Sequence, residues 1–149
     1  MFRAFGASDA VITGRRLAKI ARRRGLTLLV GADPDLAAAI GADGLHLPER
    51  LAARAVRLRR SGWIVTAAAH SLTAARIAAR AGVDAVVVSP VFASNSPSAG
   101  RLLGPVRFSS LVRGIGAPAY ALGGITPRTA RRIAASGAIG LAAVEALAS

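Results

Sequence analysis

The sequence predicts an α/β fold in which short parallel strands alternate with helices. Three observations support this fold class. Stretches rich in Ala, Arg and Leu end at a glycine six times, a short apolar run follows each glycine, and most of these units span about 20 residues. The apolar runs do not alternate with polar residues, which is typical of strands buried on both faces. Strands and helices that alternate at this spacing form βα units on a parallel sheet. The six glycines are Gly25, Gly41, Gly62, Gly82, Gly116 and Gly137.

The apolar runs define the expected strands. Three of the junctions that lead into them are near copies, at residues 41–45, 82–86 and 137–141. Such units close into a barrel or form an open, doubly wound sheet. Neither a Gly-rich dinucleotide motif nor a P-loop follows the first run, which disfavours an open nucleotide-binding sheet. The seven expected strands are Phe2–Phe5, Leu26–Val30, Leu45–Leu47, Trp63–Thr66, Ala85–Ser89, Ala119–Leu122 and Ile139–Ala142.

About seven helices are expected between the strands, and several carry start signals. The first runs to Arg24 and is capped by Asp9 or Thr13, while a short helix that ends at Ile40 has Pro34 at its first position. Two later helices begin at Ser71 and at Thr126, which is followed by Pro127.

Length and composition limit the classes of protein. The chain has 149 residues, 53% of them hydrophobic, which is enough for one domain (1–149) with a core of its own. It is short for a complete eight-unit βα barrel, which takes about 200 residues or more. The absence of Cys excludes disulfides and thiolate metal sites. No segment reaches the roughly 18 apolar residues of a membrane helix, and no signal peptide is evident, so we expect a cytoplasmic protein without a membrane partner.

The net charge of +13 raises the question of nucleic-acid binding. There are 20 basic and 7 acidic residues, and every basic residue except Lys19 is an arginine. The arginines are spread over at least four amphipathic segments, and aromatic residues for base stacking are few. This distribution favours solvated helix faces over a nucleic-acid interface, although an Arg-rich nucleic-acid binder remains an alternative.

Reactive groups in βα folds lie in the loops that follow the strands. After the penultimate strand, Gly123–Gly124 precedes the helix at Thr126, so backbone amides there could bind a phosphate or could form only a tight turn. The long, hydroxyl-rich connection 89–100, which includes Ser94 and Ser96, is either a binding lid or a plain surface loop.

Both histidines fall at predicted strand ends. His70 is placed for proton transfer, whereas His46 lies inside an apolar run and is interpreted as a packed structural residue. Asp33 and Glu49 lie near the same edge and could hold Mg²⁺, or they could stabilise helix N-termini, which is favoured for Glu49.

Four segments in order resemble the thiamine phosphate synthase/TenI family. They are Gly41–Leu47, Ala69–Leu72, Ser89–Phe92 and Leu122–Pro127, and the similarity extends from about residue 28 to residue 147. The resemblance implies an α/β fold of the (βα)₈ TIM-barrel type. Phe2–Phe5 then corresponds to the second strand, so the chain is expected to lack the first βα unit and to expose strand edges that could pair in a homo-oligomer.

The resemblance also implies a function in thiamine biosynthesis, with a phosphorylated thiazole as small-molecule partner. Synthases of the family join thiazole phosphate to a pyrimidine diphosphate with Mg²⁺. TenI-type relatives instead tautomerise a thiazole phosphate carboxylate, using a histidine and no metal.

The family pattern assigns roles to several residues. It places phosphate binding on Gly123, Gly124, Ser94 and Ser96, and acid–base catalysis on His70. Asp33 is the metal candidate, but it is displaced by one position. Ala32, Leu51 and Pro97 replace metal- and diphosphate-binding residues. These replacements are expected to weaken stabilisation of the departing diphosphate, which favours a tautomerase over a synthase. A non-catalytic regulatory relative is the remaining alternative.

Overall fold

We describe residues 1–4, 6–94 and 101–143 of the protein in a computed structural model. The helices are α1 (Ala10–Arg23), α2 (Pro34–Ile40), a 3₁₀ helix (Glu49–Arg54), α3 (Ala55–Leu58), α4 (Leu72–Arg80), α5 (Gly104–Ile115) and α6 (Pro127–Arg131). The strands are β1 (Leu29–Gly31), β2 (Gly44–Leu47), β3 (Ile64–Ala69), β4 (Ala85–Val88), β5 (Ala119–Leu122) and β6 (Gly140–Ala142).

The strands form one parallel sheet in chain order, from β1 to β6. Each strand is followed by helical structure before the next strand begins, and the sheet curls into half of a barrel. Because all strands run in the same direction, their carboxyl ends lie at one edge. The predicted α/β fold with parallel strands, of the TIM-barrel type, is therefore confirmed.

The predicted first strand, Phe2–Phe5, is reduced to a single bridge. Phe2 pairs in parallel with Val30, its amide donates to the carbonyl of Leu29 (2.8 Å), and its carbonyl accepts from the amide of Gly31 (2.8 Å). A turn begins directly afterwards, at Ala4, and Phe5 lies outside the described residues. The turn that begins at Ala4 ends the pairing after this one bridge, so the segment forms no regular strand.

The helix starts follow the predicted capping residues. The Asp33 carboxylate accepts from the Leu36 amide (2.8 Å), and the Ser71 hydroxyl accepts from the Ala74 amide (3.1 Å). Thr126 forms a reciprocal capping box with Thr129. Asp9, rather than Thr13, precedes α1, and the Thr13 hydroxyl donates to the Asp9 carboxylate (2.8 Å). The side chains of Asp33, Ser71 and Thr126 satisfy amides that a helix start leaves without intrahelical partners, whereas the Asp9 side chain accepts no amide of α1.

The core lies on both faces of the central strands. Every residue of β2 is buried, as are three of the four residues of β4. Helices pack against this sheet mainly through alanines, whose small side chains allow close approach, and Phe108 of α5 is fully buried. Burial on both faces explains why the apolar runs do not alternate with polar residues.

A repeated carboxylate contact fixes the starts of two strands. The Asp43 carboxylate accepts from the Leu28 amide (2.7 Å), and the Asp84 carboxylate accepts from the Val65 amide (2.6 Å). These aspartates occupy the same position in two of the near-copy junctions, and Ile139 stands there in the third. The aspartate therefore has a structural role in these two junctions, because it forms a hydrogen bond to the start of the preceding strand.

We expect Asp84→Ala to lower the free energy of unfolding by about 1–3 kcal/mol, since the Val65 amide would lose its acceptor. The substitution also removes the ion pair between Asp84 and Arg59 (3.0 Å). Urea unfolding followed by circular dichroism measures the change. As a control, Asp35→Ala removes a carboxylate that is 94% exposed and forms an exposed ion pair with Arg60 (3.2 Å), so its effect should be smaller. Equal losses in the two variants would contradict the assignment.

Candidate functional site

The carboxyl edge of the sheet brings together most of the residues that the sequence singled out. Ala32–Asp33 follows β1, Glu49 lies just beyond β2, His70 follows β3, Ser89 follows β4, and Gly123–Gly124 follows β5. This is the edge at which βα barrels carry their reactive groups. The shared location follows from the parallel topology rather than from any single motif.

The His70 side chain is oriented by the end of the neighbouring strand. Its Nδ1 lies 2.7 Å from the carbonyl oxygen of Ser89 and 3.3 Å from the Ser89 hydroxyl oxygen. A carbonyl oxygen only accepts hydrogen bonds, so the contact requires a proton on Nδ1. In the neutral imidazole, Nε2 then carries the lone pair, and the residue is exposed at the edge. His70 is thus held in the tautomer that can accept a proton from a ligand.

Glu49 supports His70 from the adjacent loop. Its Oε2 accepts a hydrogen bond from the His70 backbone amide at 2.7 Å. Glu49 is also the first residue of the 3₁₀ helix, which agrees with its interpretation as a helix-start residue. The link to His70 was not predicted, because residues 21 positions apart carry no local signal of contact.

Gly123 and Gly124 lie where two loops touch. Both have positive φ angles, +98° and +59°. A Cβ atom on Gly124 would meet the carbonyl oxygen of Ala93, and one on Gly123 would lie 3.0 Å from Pro90. The amide of Phe92 also donates to the Gly123 carbonyl (3.0 Å). Close approach of the loop after β4 therefore requires both glycines, whether or not a ligand binds.

The backbone N–H groups of Gly123 and Gly124 have no hydrogen-bond partner among the described residues. Among the described residues, hydrogen bonds engage the carbonyl groups of Gly123 and Gly124, through Phe92 and Thr129, but not their N–H groups. Ser94 is half-buried at the end of the described part of the same loop, and Ser96 lies outside the described residues. The guanidinium of Arg132 stacks over the Phe92 ring at 5.2 Å and adds positive charge to this loop.

A pocket of about 350 Å³ opens at the ends of β1 and β2. Asp33 lines it, but one carboxylate oxygen, Oδ1, is engaged by the Leu36 amide as a helix cap. Across residues 1–4, 6–94 and 101–143, no three His, Asp or Glu side chains cluster as metal ligands. Asp33 therefore offers one carboxylate oxygen, Oδ2, as a potential ligand.

His46 also lines the pocket, yet it is only 7% exposed. Its Nδ1 lies 2.9 Å from the Thr66 hydroxyl oxygen. Burial, together with the positive charges of Arg3 and the chain's amino group, lowers the pKa of His46 to about 4. His46 is accordingly a neutral, packed residue, as its position inside an apolar run indicates.

The depressed pKa of His46 predicts a loss of stability in acid. Between pH 6.5 and about 4 the unfolded chain takes up a proton at this residue that the folded chain does not. The full free energy of unfolding is retained above pH 6.5, and about 2–3 kcal/mol of it is lost as the pH falls to 4. Urea unfolding at pH 7, 5.5 and 4 measures it, with His46→Gln as reference. An equally steep decline in that variant would contradict the assignment.

Comparison with known proteins identifies the family. The model of the family described as "Thiamine monophosphate synthase" matches residues 3–147. The chain belongs to this family. The resemblance carried by the four sequence segments is thereby confirmed over nearly the whole chain.

Relatives with curated names are identical to the chain at about a third of the aligned positions. A thiamine-phosphate synthase of Geobacillus thermodenitrificans is 36% identical over 91% of this chain and 62% of its own length. A putative thiamine-phosphate synthase 2 of Aquifex aeolicus is 35% identical over 87% of this chain and 74% of its own length. The chain thus spans about two thirds of the length of these relatives.

Solved structures show the same fold. A thiamine phosphate pyrophosphorylase from Pyrococcus furiosus superimposes with a TM-score of 0.81 at 26% identity, covering 95% of this chain and 69% of that one. FabK from Thermotoga maritima, at a TM-score of 0.76 and 18% identity, shows likeness of fold alone. In the part of the chain that the structure describes, no helix is both long and apolar enough to cross a bilayer.

Proposed function

We propose that this protein is an enzyme of thiamine biosynthesis that binds a thiazole phosphate at the carboxyl edge of its sheet. Family membership supports the pathway, since relatives about 35% identical are named thiamine-phosphate synthases. The main support for the location of the site is the geometry of His70. Its Nδ1 is held by the Ser89 carbonyl at 2.7 Å, which leaves Nε2 for a ligand. Gly123 and Gly124 lie at the same edge.

The phosphate group would be held by the loops after β4 and β5. The N–H groups of Gly123 and Gly124, which take no partner among the described residues, could donate to phosphate oxygens. Hydroxyl groups of Ser94 and Ser96, and the charge of Arg132 over Phe92, would add to the binding.

The synthase reaction that the family resemblance implies joins the thiazole nitrogen to a pyrimidine methylene carbon. A carbon–nitrogen bond forms, the carbon–oxygen bond to the diphosphate breaks, and diphosphate leaves. When bound, Mg²⁺ would neutralise negative charge on the departing group, and the Asp33 carboxylate is the residue that would hold it. A single carboxylate is a sparse protein site for this ion, although it is within the range that Mg²⁺ accepts when phosphates complete the ligand set.

A second candidate reaction is tautomerisation of a thiazole phosphate carboxylate, and the geometry of His70 favours it. This reaction needs a phosphate anchor and a group that removes a proton from one ring position and returns it to another. His70 in the Nδ1–H tautomer offers Nε2 for this purpose, and Glu49 holds its backbone in place. No metal is required for this route.

One experiment separates the alternatives. In one reaction the protein is incubated with thiazole phosphate and pyrimidine diphosphate, with and without Mg²⁺. In a second reaction it is incubated with the thiazole phosphate carboxylate tautomer. The products of both are followed by ¹H and ³¹P NMR. Thiamine phosphate with release of diphosphate identifies a synthase, and conversion between tautomers identifies a tautomerase. Binding without either product would indicate a regulatory relative. Failure to bind, together with salt-sensitive gel shifts, would instead indicate a nucleic-acid binder.

A further inference from the structure

The guanidinium of Arg132 stacks on the loop that contacts Gly123–Gly124, which we call the glycine pair. Its Cζ atom lies 5.2 Å from the centre of the Phe92 ring, a distance at which a cation is attracted to an aromatic face. Arg132 directly follows α6 and is exposed, whereas Phe92 is half-buried and packs against the core. The stack therefore joins the end of α6 to the loop after β4.

The glycine pair is held from two sides, by Phe92 and by α6. The Phe92 amide donates to the Gly123 carbonyl (3.0 Å), and a Cβ atom added to Gly124 would lie 2.8 Å from the Phe92 Cβ atom. On the other side, the Thr129 hydroxyl of α6 donates to the Gly124 carbonyl (2.8 Å). Because Arg132 links these two elements, a movement of Phe92 away from α6 would shift the backbone of both glycines.

A second arginine stack of similar geometry lies at the opposite edge of the sheet. Cζ of Arg60 is 5.4 Å from the centre of the Trp63 ring. Trp63 immediately precedes β3, so this stack belongs to the amino edge. It offers a comparison in which the same kind of contact can be removed far from the glycine pair.

We propose that Arg132 is a positioning residue, which stacks on Phe92 and thereby holds the glycine pair in the geometry that binds phosphate. The inference rests on the function proposed above, which assigns phosphate binding to the N–H groups of these glycines. Arg132 acts through the ring of Phe92, without contact to the phosphate. Loss of the stack lowers the fraction of molecules that are competent to bind, and the apparent affinity falls by the same factor.

Titration calorimetry with thiazole phosphate tests the proposal. We expect Arg132→Gln to weaken binding about 2- to 5-fold, the range of an exposed cation–π contact. Arg132→Lys should recover part of the affinity, since an ammonium group can also lie over the ring. Two controls each remove one positive charge and should leave the affinity unchanged. Arg131→Gln replaces the exposed neighbour of Arg132, and Arg60→Gln removes the stack at the amino edge.

Replacing Phe92 shows whether Arg132 acts through the ring. Phe92→Leu keeps an apolar side chain without an aromatic face, and we expect a similar loss of about 2- to 5-fold. The variant with both substitutions should bind no more weakly than either single variant, because both remove the same contact. Losses that multiply would show that Arg132 attracts the phosphate directly through its charge, and this would overturn the proposal. Equal affinity in Arg132→Gln and the unsubstituted protein would also overturn it.

Hydrogen exchange without ligand separates this proposal from the proposed function. The Phe92 amide, which donates to the Gly123 carbonyl, should exchange about 2- to 5-fold faster in Arg132→Gln than in Arg131→Gln. Faster exchange in a protein that does not bind thiazole phosphate would mean that the proposed function is wrong, while the stack still positions the glycine pair. If thiazole phosphate binds but exchange and affinity are equal in the two variants, the role of Arg132 is wrong and the proposed function stands.

Discussion

Replacing His70 with glutamine is expected to slow tautomerisation of the thiazole phosphate carboxylate by about 10²- to 10⁴-fold, the usual contribution of a positioned acid–base group. Glutamine can still accept a hydrogen bond, but it cannot take up and return a proton. Nδ1 of His70 is occupied by the Ser89 carbonyl at 2.7 Å, so Nε2 is the atom that would exchange the proton in the proposed tautomerisation. Rates are measured by ¹H NMR at saturating ligand.

A split between kcat and KM distinguishes catalysis from binding in this variant. Loss of a proton carrier lowers kcat and leaves KM nearly unchanged, whereas loss of a binding contact raises KM. Thr73→Ala is the control, because Thr73 is exposed on α4, three residues from His70, and should retain full activity. A His70→Gln rate equal to that of the control would show that the histidine does not carry the proton.

Gly124→Ala is expected to lower the free energy of unfolding by about 2–5 kcal/mol and to abolish measurable thiazole phosphate binding. Two costs add together in this variant. Left-handed φ costs a non-glycine residue about 1–2 kcal/mol, and overpacking costs about 1–3 kcal/mol. The new Cβ atom would meet the Ala93 carbonyl and lie 2.8 Å from Cβ of Phe92, so the two loops would separate.

A second glycine provides the matched control. Gly25 has a φ of +61°, almost the same as the +59° of Gly124, but no atom lies within 4 Å of where its Cβ would be placed. Gly25→Ala therefore incurs the conformational cost alone, and its ligand binding should be intact. Urea unfolding and calorimetry compare the two variants. Equal destabilisation would show that loop contact is not what requires Gly124.

The strand pattern could be predicted from sequence because burial on both faces is a local property of the chain. The predicted segments from Leu26 onward each overlap a strand of the sheet, with boundaries shifted by up to three residues. Phe2–Phe5 was predicted as a strand on the same apolar signal. It forms only a bridge at Phe2, because a turn starts at Ala4 and ends the pairing.

The site was only partly predictable, because its decisive contacts join distant residues. Topology placed His70 and Gly123–Gly124 at one edge, but the Glu49 contact to His70 and the approach of Ala93 to Gly124 depend on how loops pack. The pocket at the ends of β1 and β2 was not predicted, because no sequence spacing connects Arg3, Asp33 and Arg50, which line it. A glycine after a strand indicates either a ligand-binding site or the close approach of another loop. The approach of Ala93 to Gly124 is visible only in the three-dimensional structure.

The proposed function requires that the carboxyl edge of the sheet bind a thiazole phosphate next to His70. Titration calorimetry of the protein with thiazole phosphate measures this binding. We expect saturable binding with one site per chain, which persists in His70→Gln and in Gly25→Ala but is lost in Gly124→Ala. Absence of binding to the unsubstituted protein, or equal affinity in Gly124→Ala and Gly25→Ala, would contradict it.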